Sequence, residues 1–162
     1  MDKQELYEKW VDKVCQYIES VGPEINCTSC AMQSKPVLDK SPQVVFLGYN
    51  AHEPFPYQGA NKERFYEGNP YFYTEREKWP VWGKLYAAMK WAKFTEPMED
   101  GNFVFMNTVY FGSQDIKDLK AKKGSAEIIN QCLDFSAEVI KDIYHPKAVV
   151  CFSIPDCFTP FI

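Results

Sequence analysis

The stretch of sequence that decides the fold is residues 44–50, VVFLGYN. Its first four residues form a short, continuous apolar run rich in β-branched side chains. Such a run is typical of a strand buried on both faces, as in a parallel sheet covered by helices. Gly48 then begins a loop, so the pattern places the polar side chain of Asn50 almost directly after a buried strand.

Two further apolar runs repeat this pattern. Residues 103–106 lead into another Asn, Asn107, and the third run covers residues 148–152. Patterns of helical period precede both runs, at residues 80–93 and from residue 124 to a stop at Tyr144-His145-Pro146. This alternation predicts an α/β fold, a three-layer α/β/α architecture with a short central parallel sheet.

The remaining segments complete the predicted layout. Asp2 and Glu5 form a capping box that opens a first helix, and Gly22-Pro23 predicts its end. Residues 24–42 are a polar connector. Residues 54–78 are aromatic, without a clear period, and a loop of that length is usually functional.

The length of the chain fits one domain. With 162 residues and no repeats or linkers, we expect a single domain spanning residues 1–162. The sequence stops soon after the third strand, at the apolar and proline-punctuated residues 154–162. We therefore expect this domain to be truncated or incomplete at its C-terminus.

Composition narrows the class of protein. Hydrophobic residues make up 46% of the chain, which argues against disorder. No stretch has the apolar length of a membrane span and the first residues are no signal peptide, so we expect a cytoplasmic location. The net charge of −4 does not by itself indicate a nucleic-acid partner. A protein with this net charge would need a local basic patch to bind nucleic acid.

The two Asn residues that follow strands are candidate ligand contacts. In an open parallel sheet, ligands bind beyond the carboxyl ends of the strands, where Asn50 and Asn107 fall. An amide offers one acceptor and two donors, which suits a base edge or a water molecule. The alternative is that both residues simply tolerate awkward backbone geometry at strand exits.

Three stretches, in the right order, resemble the uracil-DNA glycosylase superfamily. VVFLGYN is similar to the first motif of that superfamily, and FVFMNTVYF at residues 103–111 resembles the strand that delivers a base-binding Asn. Residues 127–153 resemble the iron–sulfur branch. The resemblance implies a glycosylase-like fold and a DNA base-excision enzyme that hydrolyses the N-glycosidic bond of uracil or a related damaged base.

The resemblance also implies roles for individual residues. Asn50 would position the attacking water, Asn107 would bind the pyrimidine edge of an extruded base, and Phe72 would stack on it. The rest of the first motif would lie beside the base: Gly48, Tyr49, Ala51 and His52. The family has Pro where Ala51 stands, and several branches have Gly where His52 stands, so this loop departs from the pattern.

The implied partner is uracil-containing DNA, single- or double-stranded. The phosphates would lie against Lys120, Lys122 and Lys123, which alternatively form a solvated loop with nearby Asp residues. The family's final His motif is missing, and His145 is better explained as the end of a helix. The alternative function is therefore a catalytically inactive module that binds a nucleobase or nucleic acid.

The iron–sulfur branch uses four cysteines, and Cys27, Cys30 and Cys132 match three of them. Phe111 stands at the fourth position, so the ligand set for an iron–sulfur cluster or zinc is incomplete. We expect no cofactor, because Cys132 also suits an apolar helix face and the other two thiols can be idle. A third function class, a structural or protein-interaction module, would depend mainly on Cys27 and Cys30.

Overall fold

A computed structural model describes residues 2–152 and shows the predicted parallel sheet. Its strands are β1 (Val44–Gly48), β2 (Phe103–Asn107) and β3 (Ala148–Cys151), in the order β2-β1-β3. Val44 pairs with Phe103 on one side and with Ala148 on the other, so all three strands begin level and run in the same direction. The sequence located each strand to within one residue.

The helices occupy the segments between the strands. They are α1 (Lys3–Ile25), α2 (Lys62–Glu67), α3 (Pro70–Glu75), α4 (Pro80–Trp91), α5 (Glu96–Glu99), α6 (Ile116–Lys120) and α7 (Ser125–Glu138). A 3₁₀ turn, Arg76–Lys78, joins α3 to α4, and a π-helix, Val139–Tyr144, continues α7. Within residues 2–152, no helix combines the length and apolar character needed to cross a membrane.

Helices cover both faces of the sheet. Val45 and Leu47 of β1 belong to a core that α1 and α7 complete, with Trp10, Ile18 and Phe135 among its members. Val44 and Phe46 point the other way, into a second core built largely from α3 and α4. Because successive side chains of a strand alternate between faces, these two cores form on opposite sides of the sheet, as a three-layer arrangement requires.

The predicted end of α1 is wrong by three residues. The helix continues through Gly22-Pro23 to Ile25, and Asn26 caps it in the left-handed conformation with φ 47°. A proline removes one hydrogen bond there, but Ile25 is buried in the core and favours the extra turn. Gly22 is needed for packing, since a Cβ there would lie 2.3 Å from the Tyr57 ring.

Residues 54–78 are only partly a loop. Asn61 caps α2 by accepting a hydrogen bond from the Arg64 backbone N–H, and Asn69 caps α3 in the same way through Tyr71. The lysine segment likewise contains a short helix, α6. Each of these helices has six residues or fewer, so none is long enough to show an apolar period.

The polar connector runs antiparallel to β2 and covers its outer edge. Met32 pairs with Met106, and Ser29 pairs with Phe111 beyond the strand. The Asn107 N–H donates to the Ala31 carbonyl at 2.8 Å. This pairing satisfies backbone groups that an edge strand would otherwise expose, and it brings connector side chains to the carboxyl end of the sheet.

Candidate functional site

A cleft of about 1710 Å³ opens beyond the carboxyl ends of the strands. Gly48 and Asn50 line it from the end of β1, Asn107 from β2, and Phe152 from the residue after β3. The sheet topology predicted a site at this place. The loops after β1 and β2 are tied together, since Gly48, Tyr49 and Ala51 accept backbone hydrogen bonds from residues 108, 109 and 113.

The Asn50 side chain is held in one orientation. Its Nδ2 donates to the Phe111 carbonyl at 3.1 Å and to Ser113 Oγ at 2.8 Å. The Ser113 hydroxyl hydrogen is already donated to the Asp115 carbonyl, so Ser113 can only accept from Asn50. Both N–H groups of Asn50 are therefore used, and Oδ1 is the atom that remains available to a water or ligand in the cleft.

The Asn107 side chain is also oriented by the backbone. Its Nδ2 donates to the Cys30 carbonyl at 2.7 Å, and the residue is only 3% exposed. Oδ1 and the second N–H stay available at the cleft. An adjacent acceptor and donor of this kind can bind a ring N–H beside a ring carbonyl.

Gly48 keeps the floor of the cleft open. A Cβ on Gly48 would lie 3.0 Å from Asn107 Oδ1, tighter than an ordinary contact, and 3.7 Å and 3.8 Å from the rings of Phe105 and Phe152. The absence of a side chain therefore leaves room for a ligand beside Asn107.

The other residues of the first motif have different surroundings. Tyr49 and Ala51 are buried at the cleft wall, and Lys120 Nζ lies 5.3 Å from the centre of the Tyr49 ring. His52 is exposed at the rim. The structure thus brings Gly48, Asn50 and Asn107 together at the floor and places His52 farther out.

Phe72, predicted to stack on the base, is not one of the described residues that line the cleft. It is fully buried in the second core, with edge-to-face contacts to Trp82 at 5.3 Å and Phe105 at 5.8 Å. It has no open face for a base, because other rings cover it. Phe105 and Phe152, themselves 5.3 Å apart, line the cleft beside Gly48 and are better placed to contact a flat ligand.

Two pairs of cleft residues were missed by the sequence analysis. Arg64 donates to the Glu53 carboxylate through both terminal nitrogens, one at 2.7 Å, and its Nε donates to the Met32 carbonyl at 3.2 Å. Gln33 is hydrogen-bonded to Asn69. These contacts join residues far apart in the chain, so no local spacing could have indicated them.

The lining of the cleft carries more negative than positive side chains. Its carboxylates are Glu53, Glu63, Glu67, Glu75 and Asp115, and its cationic side chains are Lys35, Arg64 and Lys117. Among the predicted phosphate contacts, Lys120 and Lys123 are exposed, while Lys122 lies beside Cys27. None of these three lysines lines the cleft; Lys117, in α6, does.

The predicted cysteine ligands do not form a metal site. Within residues 2–152, no group of three or more His, Cys, Asp or Glu side chains is placed to hold a metal ion. Cys27, Cys30 and Cys132 are all buried, and burial raises the pKa of both Cys30 and Cys132 to about 12. These thiols stay protonated at neutral pH and pack as small apolar groups.

His145 ends a helix, as the sequence suggested. It caps the π-helix in the left-handed conformation with φ 47°, and its N–H donates to the Ile140 carbonyl at 3.0 Å. Residues 153–162, on which the expectation of an incomplete C-terminus rests, lie outside the described residues.

No protein-family model, curated protein or solved structure matches the chain. The ligand and reaction of the cleft must therefore be inferred from the chemistry of the residues that line it.

Proposed function

We propose that the cleft binds an extruded uracil or related base and hydrolyses its N-glycosidic bond, in the manner of a uracil-DNA glycosylase. The observation that supports this proposal most directly is the orientation of Asn50. Two hydrogen bonds fix its amide so that only the acceptor Oδ1 is left to hold a water in the cleft. Asn107 lies at the end of the neighbouring strand and offers the acceptor and donor that a base edge needs.

The reaction divides between these two amides. A water held by Asn50 Oδ1 attacks the anomeric carbon, the C–N bond breaks, and its electron pair leaves with the base. Asn50 is neutral and only orients the water, which bonds to an oxocarbenium-like carbon and then releases its proton to solvent water; the departed uracil anion takes up a proton from solvent, so the step balances as a hydrolysis. Hydrogen bonds from Asn107 to the departing base are worth more as negative charge develops on it.

The proposed substrate is uracil in DNA, with a preference for single strands. Extrusion from an unpaired strand costs less than extrusion from a duplex, which suits a cleft whose lining has an excess of carboxylates. The lysines of the α6 side would carry the phosphates. Exposed rings at the rim, Phe55 and Tyr71, are 61% and 63% exposed and can stack on flanking bases.

A second candidate function is binding of the base without cleavage. It is favoured by the charges of the cleft lining, in which carboxylates outnumber cations, and two of the cations that could stabilise a leaving base, Arg64 and Lys35, are already paired with Glu53 and Glu67. Arg64 donates its hydrogen bonds to Glu53 and Met32. A site without such a charge would bind a neutral base and stabilise its anion only through amide hydrogen bonds.

The test measures uracil released from single-stranded and duplex oligonucleotides that carry one central uracil, with protein in excess. We expect release by the unchanged protein and a loss of about a hundred- to a thousandfold in Asn50→Ala, comparable to removing a key polar contact in other active sites. Asn102→Ala is the matched control, because it removes the amide of another Asn that lies next to a strand, at the end of β2 opposite the cleft.

The outcomes separate the two functions. Release that depends on Asn50 and not on Asn102 supports the hydrolase. Saturable oligonucleotide binding without release would favour the second function. Equal release by Asn50→Ala and the unchanged protein would contradict the role of Asn50.

A further inference from the structure

Gln33 is a buried amide on the connector that lines the cleft. Its side chain is 5% exposed. Its backbone is fixed on both sides, since its N–H donates to the Phe105 carbonyl at 2.9 Å and its carbonyl accepts from Asn69 N–H at 3.0 Å. A polar side chain buried to this extent is expected to satisfy its hydrogen bonds within the protein or with a ligand.

Hydrogen bonds determine which end of the Gln33 amide faces the cleft. Asn69 Oδ1 accepts from the Tyr71 backbone N–H at 3.1 Å, so the other atom of that amide is Nδ2. Asn69 Nδ2 donates to Gln33 at 3.0 Å, and the atom that accepts must be Oε1. Gln33 Nε2 is therefore the remaining atom, and no residue in the described chain accepts a hydrogen bond from it.

Gln33 and Asn107 lie on the same side of the sheet. Because Met32 pairs with Met106, Gln33 is opposite Phe105 and is the diagonal neighbour of Asn107. Diagonal neighbours are about 7–8 Å apart, a distance that a single heterocyclic ring and its hydrogen bonds can span. Phe105 lies between them and lines the cleft.

We propose that Gln33 is a specificity-determining residue, whose Nε2 donates to a carbonyl oxygen of the bound base. Asn107 Oδ1 accepts from the adjacent ring N–H, and the pair selects a base with a carbonyl beside a ring N–H, such as uracil. This inference rests on the proposed function only in taking a nucleobase as the ligand. It does not require that the base is cleaved.

Cytosine is the informative competitor, because an amino group replaces the carbonyl. Its amino group would face the Nε2 donor, and its unprotonated ring nitrogen would face the Asn107 oxygen. Both mismatches leave buried polar groups without partners. We expect uracil to bind about tenfold more tightly than cytosine, or better.

The experiment measures the dissociation constants of the free bases uracil and cytosine by equilibrium dialysis. It compares the unchanged protein with three variants. Gln33→Glu keeps the size of the side chain and an oxygen that accepts from Asn69, while it replaces the Nε2 donor with an acceptor. Gln33→Met removes the donor without adding charge. Gln43→Glu is the matched control, because it makes the same charge change immediately before β1, at the opposite end of the strand from the cleft.

We expect Gln33→Glu to reduce the preference for uracil over cytosine about tenfold or more, and Gln33→Met to weaken uracil binding alone. The control should keep the original preference. If Gln33→Glu still preferred uracil to the same extent, the proposed role of Gln33 would be overturned. The same holds if the protein without substitutions does not bind uracil more tightly than cytosine.

Failure of this inference and failure of the proposed function give different results. A preference that depends on Gln33, without uracil release from any oligonucleotide, overturns hydrolysis and keeps the assignment. Uracil release with a preference that Gln33→Glu leaves intact overturns the assignment and keeps hydrolysis.

Discussion

The cleft floor and the cysteine region are neighbours in the structure but differ in chemistry. The floor contains the amides of Asn50 and Asn107, with the amide of Gln33 beside them on the connector, and the cysteine region comprises Cys27, Cys30 and Cys132. The two even share a hydrogen bond, from Asn107 Nδ2 to the Cys30 carbonyl. Each amide of the floor is oriented by the protein and still has a polar atom available to a ligand, whereas the thiols are buried and remain protonated.

The difference follows from the cost of burying charge. Amides are neutral, so a few hydrogen bonds suffice to keep them in a partly dry floor. A thiol must lose its proton to bind a metal, and burial raises the pKa of Cys30 and Cys132 to about 12. Cysteine spacing carries no information about burial, so the sequence could not predict the protonation state of these thiols.

Arg64→Met should have the largest effect on stability, because Arg64 joins the loop after β1 to the connector that carries Cys27, Cys30 and Gln33. It donates to Glu53 of the loop after β1 and to the Met32 carbonyl of the connector, and its side chain is 10% exposed. Its loss leaves the Glu53 carboxylate without its partner. We expect the free energy of unfolding to fall by about 2–3 kcal/mol, measured by urea denaturation, since Glu53 retains some contact with water.

A double variant provides the control for this prediction. Glu53→Gln combined with Arg64→Met removes both charges, so it should be more stable than Arg64→Met alone by about 1 kcal/mol. If the single variant were as stable as the unchanged protein, the ion pair would not contribute to holding the loop after β1 against the connector.

The sequence predicted the sheet and its last flanking helix, α7 with its π-helical continuation, well, because these elements carry their own apolar pattern. Each strand was located to within one residue, and the predicted stop of the last helix at His145 is confirmed. The signal for α2 and α3 was present in Asn61 and Asn69-Pro70, which are typical helix starts, but helices this short have no period.

The site was predictable only where it depends on strand ends. Asn50 and Asn107 follow from the rule that ligands bind at the carboxyl edge of a parallel sheet. Gln33 lies in the cleft because the connector pairs with β2. Phe72 lies in the second core instead of the cleft, because other rings surround it. Both outcomes depend on tertiary contacts between segments that are distant in sequence.

The pH dependence of stability tests the buried state of the thiols. The pKa of Cys132 rises from 9.0 to about 12 because folding buries it. Between these values the unfolded chain loses the proton and the folded chain keeps it, so stability falls as pH rises from 9 towards 12. At pH 10 this one thiol should cost about 1 kcal/mol relative to pH 8.

Cys132→Ala isolates that contribution. Urea denaturation of both proteins at pH 8 and pH 10 should show a smaller loss in the variant, by about 1 kcal/mol, because the other titrating groups are common to both. An equal loss in the two proteins would mean that the Cys132 thiol titrates normally in the folded state.

Ser113→Ala should have the smallest effect, and it changes the orientation of Asn50 as well as removing the hydrogen bond from Ser113 to the Asp115 carbonyl. Ser113 Oγ accepts one of the two hydrogen bonds that fix the Asn50 amide, and the Phe111 carbonyl accepts the other. With one bond left, the amide can rotate away part of the time, so we expect uracil release to slow about fivefold with an unchanged KM.

Ser125→Ala is the matched control for this variant, because Ser125 is equally buried and its hydroxyl donates to the Lys120 carbonyl outside the cleft. It should lose a similar amount of stability and keep the full rate. If both serine variants slowed release equally, the effect would be one of stability. A selective effect of Ser113→Ala would instead show that the site depends on how an amide is held, a property that the cysteine region lacks.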